Sequence, residues 1–137
     1  LQTDAVLREH LGASVLPALF SPESAQLLQR TAWAQPALFA LQMALVDMLA
    51  DWGVVPAAVV GHSVGEIAAA CAAGQLRLEE AARLVALRGR AMDGRFGQGR
   101  MAVLAASAQR VAELLAMGEG GLEIAATNAP EATVVAG

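Results

Sequence analysis

Lysine and tyrosine are absent from these 137 residues, and all nine basic residues are arginine. With a net charge of −4 and no basic cluster, the chain offers no polybasic patch to a polynucleotide or an anionic lipid, so nucleic-acid partners are excluded. Cysteine occurs once, as Cys71 in the run Ala68-Ala69-Ala70-Cys71-Ala72-Ala73; a lone thiol there suits a small buried hydrophobe, and neither a disulfide nor a metal site is expected. No uninterrupted apolar run approaches the ~18 to 20 residues of a spanning helix. The N-terminus also lacks a basic stretch followed by an apolar one. No membrane association and a cytoplasmic, soluble protein are expected. Charge is scarce too, at 16% of residues against 56% apolar, and such a chain requires burial rather than disorder.

What is present is ordered punctuation. Ser21-Pro22-Glu23 combines a capping residue, a proline at the first helical position and an acid in the first turn, which predicts a helix to about Arg30. Pro36 opens a second helix, apolar on most sides from Leu38 to Leu49, long and largely buried, ending at Trp52-Gly53. Ala57-Ala58-Val59-Val60 has the pattern of a strand covered on both faces in a parallel sheet. Helices are then predicted over Glu66–Ala73, stopped by Gly74, and over Leu78–Met92. Beyond a link containing Gly94, Gly97 and Gly99 the order becomes β-α-β-β: Met101–Ala105, Ala108–Met117, Leu122–Ala126 and Thr133–Ala136. The fold class is α/β, with an expected division into 1–97 and 98–137.

Between the predicted strand and the helix at Glu66 lies Gly61-His62-Ser63-Val64-Gly65. A serine hydroxyl becomes a nucleophile when it is exposed, held rigidly and given a base; a strand-turn-helix elbow provides the first two. Both glycines are expected to remove Cβ atoms that would collide as the strand folds into the helix. The Val64 N–H, at the positive end of that helix, would face the developing oxyanion. A base is harder to find. His62 adjoins Ser63 and should project away from its hydroxyl, which gives it a supporting role, and His10 ends a surface helix. The base is therefore expected outside this sequence, which would make the chain a piece of a longer domain.

Three blocks carry a resemblance. Gln35-Pro36-Ala37-Leu38-Phe39-Ala40, Gly61 through Ala70, and Ala86-Leu87-Arg88-Gly89-Arg90-Ala91-Met92, followed by Asn128-Ala129-Pro130 and Val134-Val135-Ala136-Gly137, resemble successive parts of the acyltransferase domain of modular polyketide synthases. That domain is similar to the malonyl-CoA:acyl carrier protein transacylase of fatty acid synthesis. The resemblance implies a hydrolase-like large subdomain with a parallel sheet, then the start of a ferredoxin-like small subdomain. It also implies a longer parent, with a Gly-Gln-Gly-type block ahead and a catalytic histidine downstream.

The implied chemistry is ping-pong. Ser63 would take an acyl group from coenzyme A and pass it to the phosphopantetheine thiol of an acyl carrier protein, with no tightly bound cofactor and with ketosynthase and other synthase domains in the same polypeptide. Arg88 matches the family arginine that grips the free carboxylate of a malonyl-type extender; without the resemblance it would pass for part of an exposed face with Arg83, Arg90 and Arg95. Gln35 matches a glutamine near the nucleophile, expected to steady the elbow. Val64, where methylmalonyl-type domains tend to carry Gln, leans toward malonyl. Arg77 stands where the family often has a serine cap, costing about 1 kcal/mol, and Arg100 replaces a commonly small residue. A serine hydrolase sharing the elbow, or an inactive fragment of a synthase, are the alternatives.

Overall fold

The computed structural model describes residues 2–22, 24–95, 97–118 and 120–137. The chain forms two compact units, Leu1–Gly94 and Arg95–Gly137.

The first unit is helical: α1 (Gln2–Leu11), α2 (Leu16–Phe20), α3 (Ser24–Leu28), α4 (Thr31–Asp51), α5 (Gly65–Ala72) and α6 (Leu78–Asp93). The helix predicted after Ser21-Pro22 is the short α3; its anticipated first-turn acid, Glu23, lies outside the described residues. The core gathers Leu7, Val15, Phe39, Met43, Val64, Ile67 and Val85 around small residues of α6. Ala82, Val85, Ala86 and Gly89 recur at helical spacing, and their small side chains let α6 lie close against α4. Complete burial of Phe39 contributes roughly 2–3 kcal/mol.

The start of α4 and its burial both differ from the sequence pattern. Helix α4 starts at Thr31, and Pro36 lies inside it. A proline removes one helical N–H, but the turn ahead of it is supported from another element: the Asp93 carboxylate lies near the backbone N–H groups of Thr31 and Ala32 and pairs with Arg30. These contacts, the Arg30 hydrogen bond first, hold the Asp93 carboxyl below its ordinary pKa. The same helix is buried only in its first half, from Gln35 to Met43, while Leu45, Met48 and Leu49 are exposed. By length and composition α4 could cross a bilayer, yet Phe39, Ala40 and Met43 make it the core helix of this unit.

The expected strand at Ala57–Val60 is corrected. These residues form no ladder, and Val60 is 96% exposed. The only sheet among the described residues is antiparallel and lies in the second unit, so the expected parallel sheet is not formed among them. The pattern records apolarity that neighbouring strands would cover, and a strand cannot be assigned without a hydrogen-bonded neighbour. Downstream, α5 closes as anticipated: Gly74, at φ +71°, lets Gln75 N–H reach the Ala70 carbonyl (2.9 Å) and its own N–H reach Cys71 (3.0 Å). Burial pushes the Cys71 thiol upward in pKa, with Asp47 and Glu79 adding to it, so the thiol stays protonated and unreactive at neutral pH. Arg77 does precede α6 without a side-chain cap, but Glu80 partly compensates, accepting the Arg77 N–H (3.0 Å) and its guanidinium (3.1 Å).

The α1–α2 connection turns on Asp4. Its Oδ1 accepts from the Ser14 hydroxyl and the Val15 N–H, both at 2.8 Å, and Oδ2 accepts from Arg8 at 3.1 Å. Burial pushes this carboxyl up, but the Ser14, Val15 and Arg8 contacts together hold it below 3.8. A folded pKa under the unfolded one adds stability above the unfolded value and loses it as pH falls through the folded value. Asp4→Ala is expected to destabilise the protein by about 1–3 kcal/mol at neutral pH, because the buried Val15 N–H loses its acceptor. Urea denaturation should show that deficit narrowing below pH 3.8; a deficit constant with pH would remove the ionised carboxylate from the account.

In the second unit, β1 (Met101–Leu104), α7 (Ala108–Ala116), β2 (Glu123–Ala129) and β3 (Ala132–Ala136) form a sheet of order β1-β3-β2 with α7 packed on it. Both pairings are antiparallel, with Met101 opposite Ala136 and Ile124 opposite Val135. Ser107 caps α7 by accepting the Arg110 N–H, and Val111, Thr133, Val134 and Val135 are buried. Arg100 extends the β1–β3 ladder through backbone bonds to Gly137 (2.7 and 3.1 Å).

Candidate active site

The segment from Gly61 to Gly65 folds directly into α5. Three successive short-range bonds wind it: Gly65 N–H to the His62 carbonyl (3.0 Å), Glu66 N–H to Ser63 (3.1 Å) and Ile67 N–H to Val64 (3.2 Å). Ser63 has φ +56°, the one non-glycine residue at positive φ among the described residues. That conformation costs an L-residue about 1–2 kcal/mol, and it holds the Ser63 side chain in solvent at the head of a helix.

The two glycines are not equivalent. A Cβ on Gly61 would lie 2.3 Å from the Gly65 carbonyl oxygen and 2.4 Å from Glu66 N and Cα, whereas one on Gly65 would meet only Gln42 Nε2, at 3.5 Å. The expectation that both prevent a collision therefore holds for Gly61 and is corrected for Gly65, where a Cβ would make only an ordinary van der Waals contact with a side chain.

The Val64 side chain packs into the core with Ile67 and Phe39, while no backbone carbonyl among the described residues takes its N–H. His62 is exposed, and its carbonyl serves the turn.

Arg88 turns inward from α6, half-buried, while Arg83 and Arg90 on the same helix are exposed. Its Nη2 donates to Ser63 Oγ at 3.1 Å and its Nη1 donates to Gln35 Oε1. Gln35, 7% exposed, donates in turn through Nε2 to Thr31 Oγ1 (2.7 Å) and Met92 Sδ (3.2 Å). Gln35 was expected to bond the elbow; its amide instead bonds Arg88, which reaches Ser63. The structure thus joins Ser63, Arg88 and Gln35 and adds Thr31 and Met92, which the sequence reading missed. The signal was there: Thr31 and Gln35 are four apart, one face of a helix, once the helix starts at Thr31 and not at Pro36. The arrangement sets one donor-rich guanidinium beside an exposed hydroxyl, with a buried amide fixing the guanidinium from behind.

The family model for the acyl transferase domain matches residues 1–137. The chain belongs to this family. The acyl transferase match extends to spectinabilin polyketide synthase system protein NorC of Streptomyces orinoci, 46% identical over 99% of this chain and 6% of that protein. It extends also to erythronolide synthase EryA3 of Saccharopolyspora erythraea, 43% identical over 99% of this chain and 4% of that protein. Among solved structures, the acyltransferase domain from module 8 of the salinomycin polyketide synthase superposes with a TM-score of 0.90 at 38% identity, over 99% of this chain and 32% of that one. An acyl carrier protein S-malonyltransferase from Vibrio cholerae gives 0.84 at 31% identity, over 99% of this chain and 46% of that one. The chain therefore spans a small part of the synthases and less than half of each of these two structures.

Proposed function

We propose that this chain carries the nucleophile and the substrate-carboxylate site of an acyl transferase that moves a malonyl-type extender from coenzyme A to the phosphopantetheine thiol of an acyl carrier protein. The observation that carries the reading is the 3.1 Å contact between Arg88 Nη2 and Ser63 Oγ at a serine held at positive φ. In a malonyl thioester one methylene separates the carboxylate from the carbonyl carbon. A guanidinium this near the attacking oxygen can hold that carboxylate while the oxygen reaches the carbonyl.

Ser63 Oγ bonds to the thioester carbon and loses its proton to a base supplied by the rest of the domain. The Val64 N–H bonds the oxyanion, and coenzyme A leaves as its thiol after taking up a proton. The carrier's phosphopantetheine thiol then attacks the acyl-serine, and Ser63 recovers its hydroxyl. Arg88 meets the planar carboxylate with parallel N–H donors, which favours dicarboxylic over monocarboxylic acyl groups.

On this reading the first unit is part of a hydrolase-like large subdomain and the second the start of a ferredoxin-like small one. The apolar, unpaired segment around Val59 and Val60 would pair there with strands supplied by the remainder of the domain, in a polypeptide that also holds ketosynthase and carrier domains. The complete domain given malonyl-CoA is expected to form an acyl adduct on Ser63, mapped by peptide mass spectrometry, that persists until carrier protein discharges it. Rapid loss to water without transfer to the carrier would make the protein a serine hydrolase and overturn the transferase reading.

A further inference from the structure

We propose that Thr31 is a positioning residue for the carboxylate site, acting through the Gln35 amide on Arg88; the inference rests on the role assigned to Arg88 above. Gln35 has a donor end and an acceptor end, and both are engaged in a buried setting: Oε1 accepts from Arg88, which can only donate, while Nε2 donates to Thr31 Oγ1 and to the Met92 thioether, which can only accept. Arg88 and Met92 therefore fix which way the amide faces. Neither fixes where it sits, because a thioether is a weak acceptor and the guanidinium is the group to be placed. The 2.7 Å bond to Thr31 supplies that anchor.

Thr31 is itself held from outside α4. A Cβ on Gly89 would lie 3.0 Å from the Thr31 carbonyl and 3.2 Å from Ala32 Cα, so α6 runs against this turn with no room to spare. One turn further on, Asp93 binds the Arg30 guanidinium, with Nε at 3.2 Å, immediately ahead of Thr31. The last two turns of α6, which carry Arg88, Gly89, Met92 and Asp93, are thereby registered against the first turn of α4. The Thr31 hydroxyl transmits that register to the guanidinium beside Ser63. Without it, a buried Nε2 retains only a sulfur partner, and the amide can shift away from Arg88.

The test uses the complete acyl transferase domain, with kcat and KM measured separately for malonyl-CoA and acetyl-CoA. Thr31→Val is expected to raise the malonyl KM roughly tenfold, the scale of one lost buried hydrogen bond. The acetyl parameters should hardly move, since acetyl has no carboxylate for Arg88 to hold. Thr31→Ser, which restores an oxygen at the same position, should recover malonyl KM. If Thr31→Val does not fold, Thr31→Ala removes the same hydroxyl without putting a methyl in its place and is read instead. An unchanged malonyl KM, an equal loss for both acyl groups, or a Thr31→Ser variant no better than Thr31→Val would each overturn the proposal. Arg88→Ala in parallel separates the two layers. If it abolishes the malonyl preference while Thr31→Val leaves it intact, only the positioning role falls; if Arg88→Ala also leaves the preference unchanged, the carboxylate site and the role of Thr31 fall together.

Discussion

Replacing Arg88 with alanine in the complete domain is expected to cut the preference for malonyl over acetyl groups by roughly 10²- to 10³-fold, the loss of two charge-assisted hydrogen bonds at about 1.5–3 kcal/mol each, partly offset by water. The loss should fall on malonyl and leave acetyl acylation of Ser63 in place, because the elbow backbone that presents Ser63 and the Val64 N–H is wound by its own hydrogen bonds, and only the Arg88 contact to Ser63 Oγ goes with the guanidinium. Arg88→Lys tests the shape of the cation as distinct from its charge. An ammonium can reach toward the carboxylate but cannot present two parallel donors while also bonding Gln35, so most of the preference should still be lost. Truncation also leaves the Gln35 carbonyl oxygen buried without its donor, so a modest fall in stability, about 1–3 kcal/mol, should accompany the kinetic effect. Competition between malonyl-CoA and acetyl-CoA for the same domain reads the ratio directly. A preference unchanged in Arg88→Ala would mean that the guanidinium stands beside Ser63 without touching substrate.

Much of this was legible in the sequence, and the reasons for the exceptions are physical. The elbow was readable because Gly61, Ser63 and the helix start at Glu66 are a local solution to a local steric problem. Gly74 likewise announces the end of α5 through its own φ. Arg88 could be singled out only by resemblance, since an arginine on an amphipathic helix looks alike whether it faces solvent or a buried amide. What turns it inward is Gln35, 53 positions away. The start of α4 was misplaced for a similar reason: Pro36 is a strong local signal for a helix start, but Asp93 holds Arg30 just ahead of Thr31, and no window of sequence contains both. The segment at Ala57–Val60 errs the other way. Its composition speaks of burial on two faces, but pairing is a property of two strands, and the described residues place no partner beside this segment.

The glycines of the elbow should separate sharply on substitution, and the contrast tests how Ser63 is held. Gly61→Ala is expected to destabilise the complete domain by more than ~3 kcal/mol, at the upper end of overpacking effects. The new Cβ would sit 2.3–2.4 Å from three backbone atoms of Gly65 and Glu66, none of which can rotate out of the way as a side chain could. Relief requires α5 to move off the preceding chain, and that movement opens the turn that keeps Ser63 at φ +56°. Acylation of Ser63 should therefore fall even in whatever fraction stays folded. Gly65→Ala meets only Gln42 Nε2 at 3.5 Å and gains helix propensity at the first position of α5, so its stability should change by less than about 1 kcal/mol. Urea denaturation together with acyl-Ser63 formation, measured on both variants, decides the matter. A Gly61→Ala domain of ordinary stability with an active Ser63 would show that the elbow backbone has another conformation open to it, and that the positive φ is not what presents the nucleophile.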